Sequence, residues 1–337
     1  MTSFSSSCRA QRRGFLVRTG ALLAAGPFAA SFVQAADYPD KPVRILVPTA
    51  SGGSLDTLGR LLANRLEARL HQTFIVENHP GANGNVAFEA VARAPADGSV
   101  LLLASDAITI NPHLYQQVRY DPVRSYAPVS LVSTAAQVLV VPPALGVSTL
   151  RDFTALAKRR AAEGKPLNIA SPGSGSAGHL AAVLYQAQAG VSWTHVPYKG
   201  GGPAVADLLG GHVDGLFVTL ASAVPQIKAG KLVALAVTTP ERAVTLPSVP
   251  AVAQAGVPGF DVTNWQGVFA PAGTPAPVVE RLGSAIEAIA ATPDVKARLV
   301  ELGFEPVSGG PAALGKLVQE NTAKWGRIIS QAGIRLD

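Results

Sequence analysis

Cysteine is almost missing from these 337 residues: Cys8 stands alone, ahead of an apolar stretch near the start. It cannot accept a lipid there and it leaves with the leader argued below, so the mature chain has no disulfide, thiol catalyst or cysteine metal site. Histidine is sparse and scattered. His71, His79, His113, His179, His195 and His212 show no H-E-x-x-H or comparable spacing, which argues against a metal site. A nucleophile elbow is absent too, because Pro172 and Ser174 occupy the places where G-x-S-x-G around Ser174 and Ser176 needs its first glycine. No apolar run is long enough to cross a bilayer; Ala21 to Val33 is about 13 residues against the ~20 required.

Charge is also scarce, at 15% of residues, and its net value of +6 is unevenly placed. Residues 1–36 hold Arg9, Arg12, Arg13 and Arg18 and no acid, so removing these four from the 28 basic residues leaves 24 against 22 acidic ones. A net of +2, with no basic run interleaved with aromatics, excludes nucleic acid as a partner.

What is present begins with that leader. A polar arginine-bearing segment, then an apolar stretch, then Val33-Gln34-Ala35 with small residues at the two positions a signal peptidase reads, predicts a secretion signal over 1–35, cleaved after Ala35. Gln11-Arg12-Arg13-Gly14-Phe15-Leu16 resembles a twin-arginine motif with Gln11 in place of Ser or Thr, and the choice of export route stays open. The remaining length fits two α/β domains with a cleft between them.

From Val43 onward one theme repeats: a short β-branched run, a Gly-rich turn, then an amphipathic stretch. Strands are expected at 43–47, 74–77 and 100–104 with helices at 57–70 and 85–94, an alternating order that predicts parallel pairing. A strand at 138–141 leads into a second series: helix 150–162, strand 167–170, helix 177–189, strand 193–196, helix 203–209, and strands 213–218 and 232–237. Strand 268–271 and helices 275–291 and 311–332 are expected to return to the first domain. Residues 37–138 plus 261–337 then make domain 1 and 139–260 domain 2, joined by a hinge.

Three loops join a strand end to a helix start through Gly and Ser: 48–56, 171–179 and 198–203. Unpaired N–H groups and the positive end of a helix dipole make such loops fit to hold anions, although one alone is as easily a mere turn. Two facing loops would hold both ends of a dicarboxylate. Asp56 reads as a helix cap that fixes the first loop rather than as a catalytic acid. His179 either touches ligand or caps its helix. Gly173, Gly175 and Gly178 spell G-x-G-x-x-G, yet no acid follows before Asp207 where a ribose partner belongs, so a nucleotide-cofactor enzyme is the weaker alternative.

The chain resembles the tripartite tricarboxylate transporter substrate-binding proteins, the Bug receptors, from about Tyr38 to its C-terminus. The resemblance is carried by Glu77-Asn78-His79-Pro80-Gly81-Ala82-Asn83-Gly84, Asp97-Gly98, Asn111-Pro112, Val196-Pro197-Tyr198-Lys199-Gly200-Gly201-Gly202-Pro203, Asp207 through Asp214, and Trp265 through Pro275. It implies a type II periplasmic-binding-protein fold, two α/β domains joined by a hinge with the ligand cleft between them, and a function without catalysis or cofactor. A small organic carboxylate is then captured in the periplasm and delivered to integral-membrane transporter subunits by a monomer; a ligand-sensing protein feeding a signalling partner is the alternative. The ligand-binding positions it implies are Gly52, Gly53, Ser54 and Asp56 in one domain and Gly175, Ser176, His179, Tyr198 and Gly200 in the other, with Ser105, Asp106 and Thr219 at the cleft by topology. In the first loop Leu55 replaces the family's small hydroxyl residue, from which a narrower, more apolar cleft is expected.

Overall fold

In the computed structural model residues 38–52 and 54–336 are described; the leader with its export motif and Cys8, and Gly53 of the first loop, lie outside them. Strand β1 (Val43–Val47) is followed by helix α1 (Ser54–Leu70), whose Leu58, Leu62 and Leu66 recur every fourth residue and are buried against the sheet. Next come β2 (Phe74–Asn78), α2 (Asn85–Ala92), β3 (Val100–Ser105) and α3 (Ala107–Leu114). Helix α3 is not legible as a helix because Pro112 lies inside it. The carbonyl of Ile108, which Pro112 cannot bond, accepts the Tyr120 hydroxyl instead at 3.2 Å.

The 16-residue β4 (Tyr126–Val141) begins twelve residues before the expected strand, because Ser130, Ser133 and Gln137 break its apolar pattern although all three are buried. It leads to α4 (Leu150–Ala162), where Thr149 accepts the Asp152 N–H as a cap. The second series follows as β5 (Asn168–Ser171), α5 (Ala177–Ala189), β6 (Thr194–Pro197), α6 (Gly201–Leu209), β7 (Gly215–Thr219), α7 (Leu220–Lys228) and β8 (Val233–Val237). The chain closes with β9 (Thr263–Pro271), α8 (Ala276–Ala290), α9 (Pro293–Glu301), β10 (Glu305–Gly309) and α10 (Pro311–Ala332). The short α7, α9 and β10 were not expected.

The sheet runs β2-β1-β3-β9-β4-β7-β5-β6, with β8 and β10 also on β4. Parallel pairing holds within β2-β1-β3 and within β6-β5-β7, whereas β9 and β4 run antiparallel to their neighbours and join the two sets. Apolar clusters lie on both faces of each half. Leu58, Leu101, Val268 and Ile286 belong to one in the first half, Phe153, Leu180, Tyr185 and Phe217 to one in the second. Helix α8 packs in the first half, whereas α10 touches both: Leu314 and Val318 join the first half, Trp325 and Ile329 the second.

The chain crosses between the halves along β4 and returns at residues 262–263, where β9 begins beside Ala136. Thr238, fully buried, fastens the two crossings. Its Oγ1 accepts the Gln137 N–H at 2.9 Å and donates to the Val262 carbonyl at 2.7 Å. Away from these crossings, the left-handed Gly303 after α9 meets α7, where an added Cβ would lie 2.6 Å from the Ala221 Cα.

Candidate functional site

Register places the strand ends. β3 and β4 run in the same direction, both antiparallel to β9, and Ser105 at the end of β3 is level with Gln266 of β9 and Ser133 of β4. β7 runs the opposite way and ends with Thr219 level with Gln137 of β4. The carboxyl ends of the parallel strands from both halves therefore head toward each other over about 13 Å of β4. Open α/β sheets bind ligands beyond such ends, and here all three Gly-rich loops issue from them.

In the first loop, Asp56 lies in the first turn of α1, nearly buried, and gathers the loop about its carboxylate. It accepts the Gly52 N–H at 2.8 Å and Asn78 Nδ2 at 3.0 Å, and pairs with Arg60 at 2.9 Å. Burial alone would raise its pKa, but the bonds from Arg60, Gly52 and Asn78 outweigh it and hold the carboxyl below the usual range. Asp56 thus clasps the loop from inside the helix rather than from the cap position. Ser54 opens α1. Leu55 does not line a cleft: it is buried in the apolar cluster with Val47 and Leu58, which corrects the expectation of an apolar ligand wall.

The second loop is organised by side chains behind it. Ser176 caps α5 by accepting the His179 N–H at 3.2 Å, and its hydroxyl donates to the Gly173 carbonyl at 2.7 Å. Gly175 donates its N–H to Nδ1 of His179 at 3.1 Å, and its carbonyl faces Nδ2 of Asn83 in the other half at 3.4 Å. Gly178 permits a close approach, since an added Cβ would lie 2.4 Å from the Phe217 carbonyl. The glycines that spell a dinucleotide pattern are therefore used in part for internal packing. His179 stacks on His195, with centroids 4.0 Å apart. Burial, with a smaller contribution from His195, depresses its pKa to about 4.

In the third loop the Tyr198 hydroxyl donates to Asp207 on α6 at 2.7 Å; burial first, then that carboxylate, raises its pKa to about 12. The Gly200 N–H donates to the Pro172 carbonyl at 2.8 Å and so ties the third loop to the second. Gly52, Gly175 and Gly200 thus commit their N–H groups to internal acceptors. At these three positions the loop amides are structural in this conformation, where open donors were expected.

At the end of β3, Ser105 accepts the Ala107 N–H at 3.4 Å. Asp106, 1% exposed, ends a polar chain in which Ser133 donates to Gln266, Gln266 to Asn264, and Asn264 to Oδ1 of Asp106. Oδ2 is buried without a partner, and burial pushes this carboxyl up to about 7. Thr219 accepts Gln137 Nε2 at 3.3 Å.

Structure adds residues that the sequence did not single out: Gln137 and Thr238 at the crossing, Asn264 and Gln266 below Asp106, and His195 behind the second loop. Asn83 lies within a quoted motif but gave no sign that it reaches the other half. It sits among four successive residues with positive φ, Gly81 to Gly84. A cavity of about 460 Å³ beside α2 is lined by Ala82, Val86, Glu89, Tyr115 and their neighbours and by none of the expected ligand residues. Among the described residues no His, Asp and Glu group is arranged to hold a metal.

Residues 58–334 match the tripartite tricarboxylate transporter family receptor (TctC). The chain belongs to this family. The TctC receptors are periplasmic solute-binding proteins and not enzymes. This TctC chain is 32% identical to the protein BugT of Bordetella pertussis over 306 residues, which cover 90% of this chain and 93% of that one. Its fold matches the Rhodopseudomonas palustris protein Rpa4515 with adipate (TM-score 0.82, 34% identity, 89% of this chain and 100% of that chain). It also matches MatC of the same organism with bound malate (TM-score 0.75, 32% identity, 87% of this chain and 100% of that chain). No described helix is long and apolar enough to cross a membrane.

Proposed function

We propose that this receptor captures a small organic carboxylate, a dicarboxylate of four to six carbons being the best fit, and delivers it as a monomer to the integral-membrane subunits of a tripartite transporter. The observation that carries the reading is the convergence of strand ends and Gly-rich loops from both halves, on a fold whose relatives hold malate and adipate. The proposed ligand positions are Gly52, Gly53, Ser54 and Asp56 from one side, Gly175, Ser176, His179, Tyr198 and Gly200 from the other, and Ser105, Asp106 and Thr219 between them. Because the amides of Gly52, Gly175 and Gly200 are occupied, hydroxyls and the histidine carry more of the contact than those amides.

Residues 37–138 plus 261–337 and residues 139–260 are proposed to close as two bodies about the crossings at Gln137 and Thr238. The leader would export the chain by the general or the twin-arginine route. The test is thermal unfolding of residues 36–337 with malate, adipate, citrate, monocarboxylates, amino acids, nicotinamide and NAD. Stabilisation scales with ligand concentration over Kd. A rise of several degrees with a carboxylate is expected; a response to nicotinamide compounds alone overturns the proposal.

A further inference from the structure

His195 belongs to no expected ligand set, yet it touches the second loop at two points. Its Nε2 lies 2.7 Å from Oγ of Ser171, and that hydroxyl in turn bonds both the carbonyl and the N–H of Gly173. Its ring covers His179 at 4.0 Å with an interplanar angle of 18°. On the far side of the pair, the Gly175 N–H points at Nδ1 of His179. A backbone N–H can only donate, so Nδ1 is the bare nitrogen and the proton of the neutral ring sits on Nε2.

We infer that His195 is a positioning residue of the ligand site: by lying face to face on His179 and anchoring to Ser171, it holds His179 against Gly175 as a neutral Nε2–H donor and keeps it from becoming a cation. The inference rests on the reading that the second loop holds the ligand. It deepens that reading by assigning how the carboxylate is met. A neutral donor offers a hydrogen bond without a full charge, so binding takes up no proton at His179.

The electrostatics agree with the geometry. Among the described residues neither ring is paired with a carboxylate or a cation; the charge acting on His179 is that of His195 on β6, since β5 contributes Ser171 and the loop contributes backbone. Burial lowers the pKa of both rings. Protonating His179 would put a second donor opposite the Gly175 N–H and a positive charge against its stacked neighbour.

The test reads the side-chain nitrogen resonances of His179 in ligand-free protein, from about pH 4.5 to 8. In the wild type, Nδ1 is expected bare, Nε2 protonated, and the ring untitrated above about pH 5. His195→Phe keeps a ring over His179 and should preserve both features. His195→Gln keeps a bond to Ser171 but uncovers the ring, and should move its midpoint up by about one pH unit or more toward the ordinary histidine value. Isothermal titration with adipate and malate supplies the second readout. Measured against wild type at the same pH, which cancels the titration of Asp106, the affinity of His195→Gln should gain as the pH falls from about 7.5 to about 5.5.

A wild-type His179 that titrates near 6.5 or carries its proton on Nδ1, or a His195→Gln ring with an unchanged midpoint, overturns the inference. If neither diacid binds, the ring readouts still decide it. That failure would fall on the carboxylate reading instead.

Discussion

Replacing Asp56 with alanine removes the acceptor around which the first loop is wound. Three donors lose their partner: the Gly52 N–H, Asn78 Nδ2 and the Arg60 guanidinium. Hydrogen bonds to a charged acceptor are worth about 1.5–3 kcal/mol each. Arg60 is 52% exposed, so that pair adds only about 0–1 kcal/mol. Asn78 keeps the Thr49 carbonyl at 3.0 Å, which softens its loss. A total near 3 kcal/mol follows, with a fall in Tm of about 5 °C at neutral pH. Asp56→Asn retains one acceptor but turns an NH₂ toward a donor, so it should fall between wild type and alanine.

The sign of the pH dependence is fixed as well. A carboxyl held below its ordinary value stabilises the fold above the unfolded-state pKa of about 3.8 and loses that contribution as pH falls through the folded value. The wild-type advantage over Asp56→Ala should therefore shrink in acid. Melting curves followed by circular dichroism at neutral and acidic pH, with adipate titrations of each variant, measure both effects. An alanine variant that melts within about 1 °C of wild type at neutral pH would refute the clasp.

Thr238→Val keeps the shape of the crossing but leaves the buried Gln137 N–H without an acceptor, at a cost of about 1–3 kcal/mol, and amide exchange at Gln137 and Val262 should accelerate. Unchanged exchange there would show that Thr238 is no fastening. For Asp106, with its folded pKa raised to about 7, the folded state retains a proton that the unfolded state releases, so this group's contribution is full below about pH 4 and is lost as the pH rises to about 7. Asp106→Asn should be more stable relative to wild type at pH 8 than at pH 4, which denaturant titrations at the two values will show. Leu55→Thr should lower Tm through the loss of about 2 kcal/mol of core packing and leave the preference between adipate and aromatic carboxylates unchanged.

Elements with one apolar face and clean caps were legible: β1, α1, α4 and α5 stand within a few residues of their expected limits because local periodicity and burial agree there. The elements missed obey tertiary demands instead. The start of β4 carries buried polar residues whose partners, such as Gln266 for Ser133, lie more than a hundred residues away. Pro112 and Pro225 lie inside α3 and α7, where proline ordinarily marks a break. The loops were readable from their glycines, but not the fate of their amides, because the acceptors are side chains such as His179 whose direction no spacing reveals. His195 was invisible for a similar reason, since its role depends on stacking across two elements.

The order of strands in the sheet also dictates an order of assembly. β9 lies between β3 and β4, so the first half has an empty lane in its middle until residue 271 has been made, long after the second half. Until then β3 and β4 each present an unpaired edge, and edges of that kind recruit other chains. An N-terminal fragment ending near residue 142 should for this reason be insoluble rather than a smaller folded unit. The completed chain gains the converse benefit: β9, arriving late, covers the open edges of β3 and β4 at once and closes the first half.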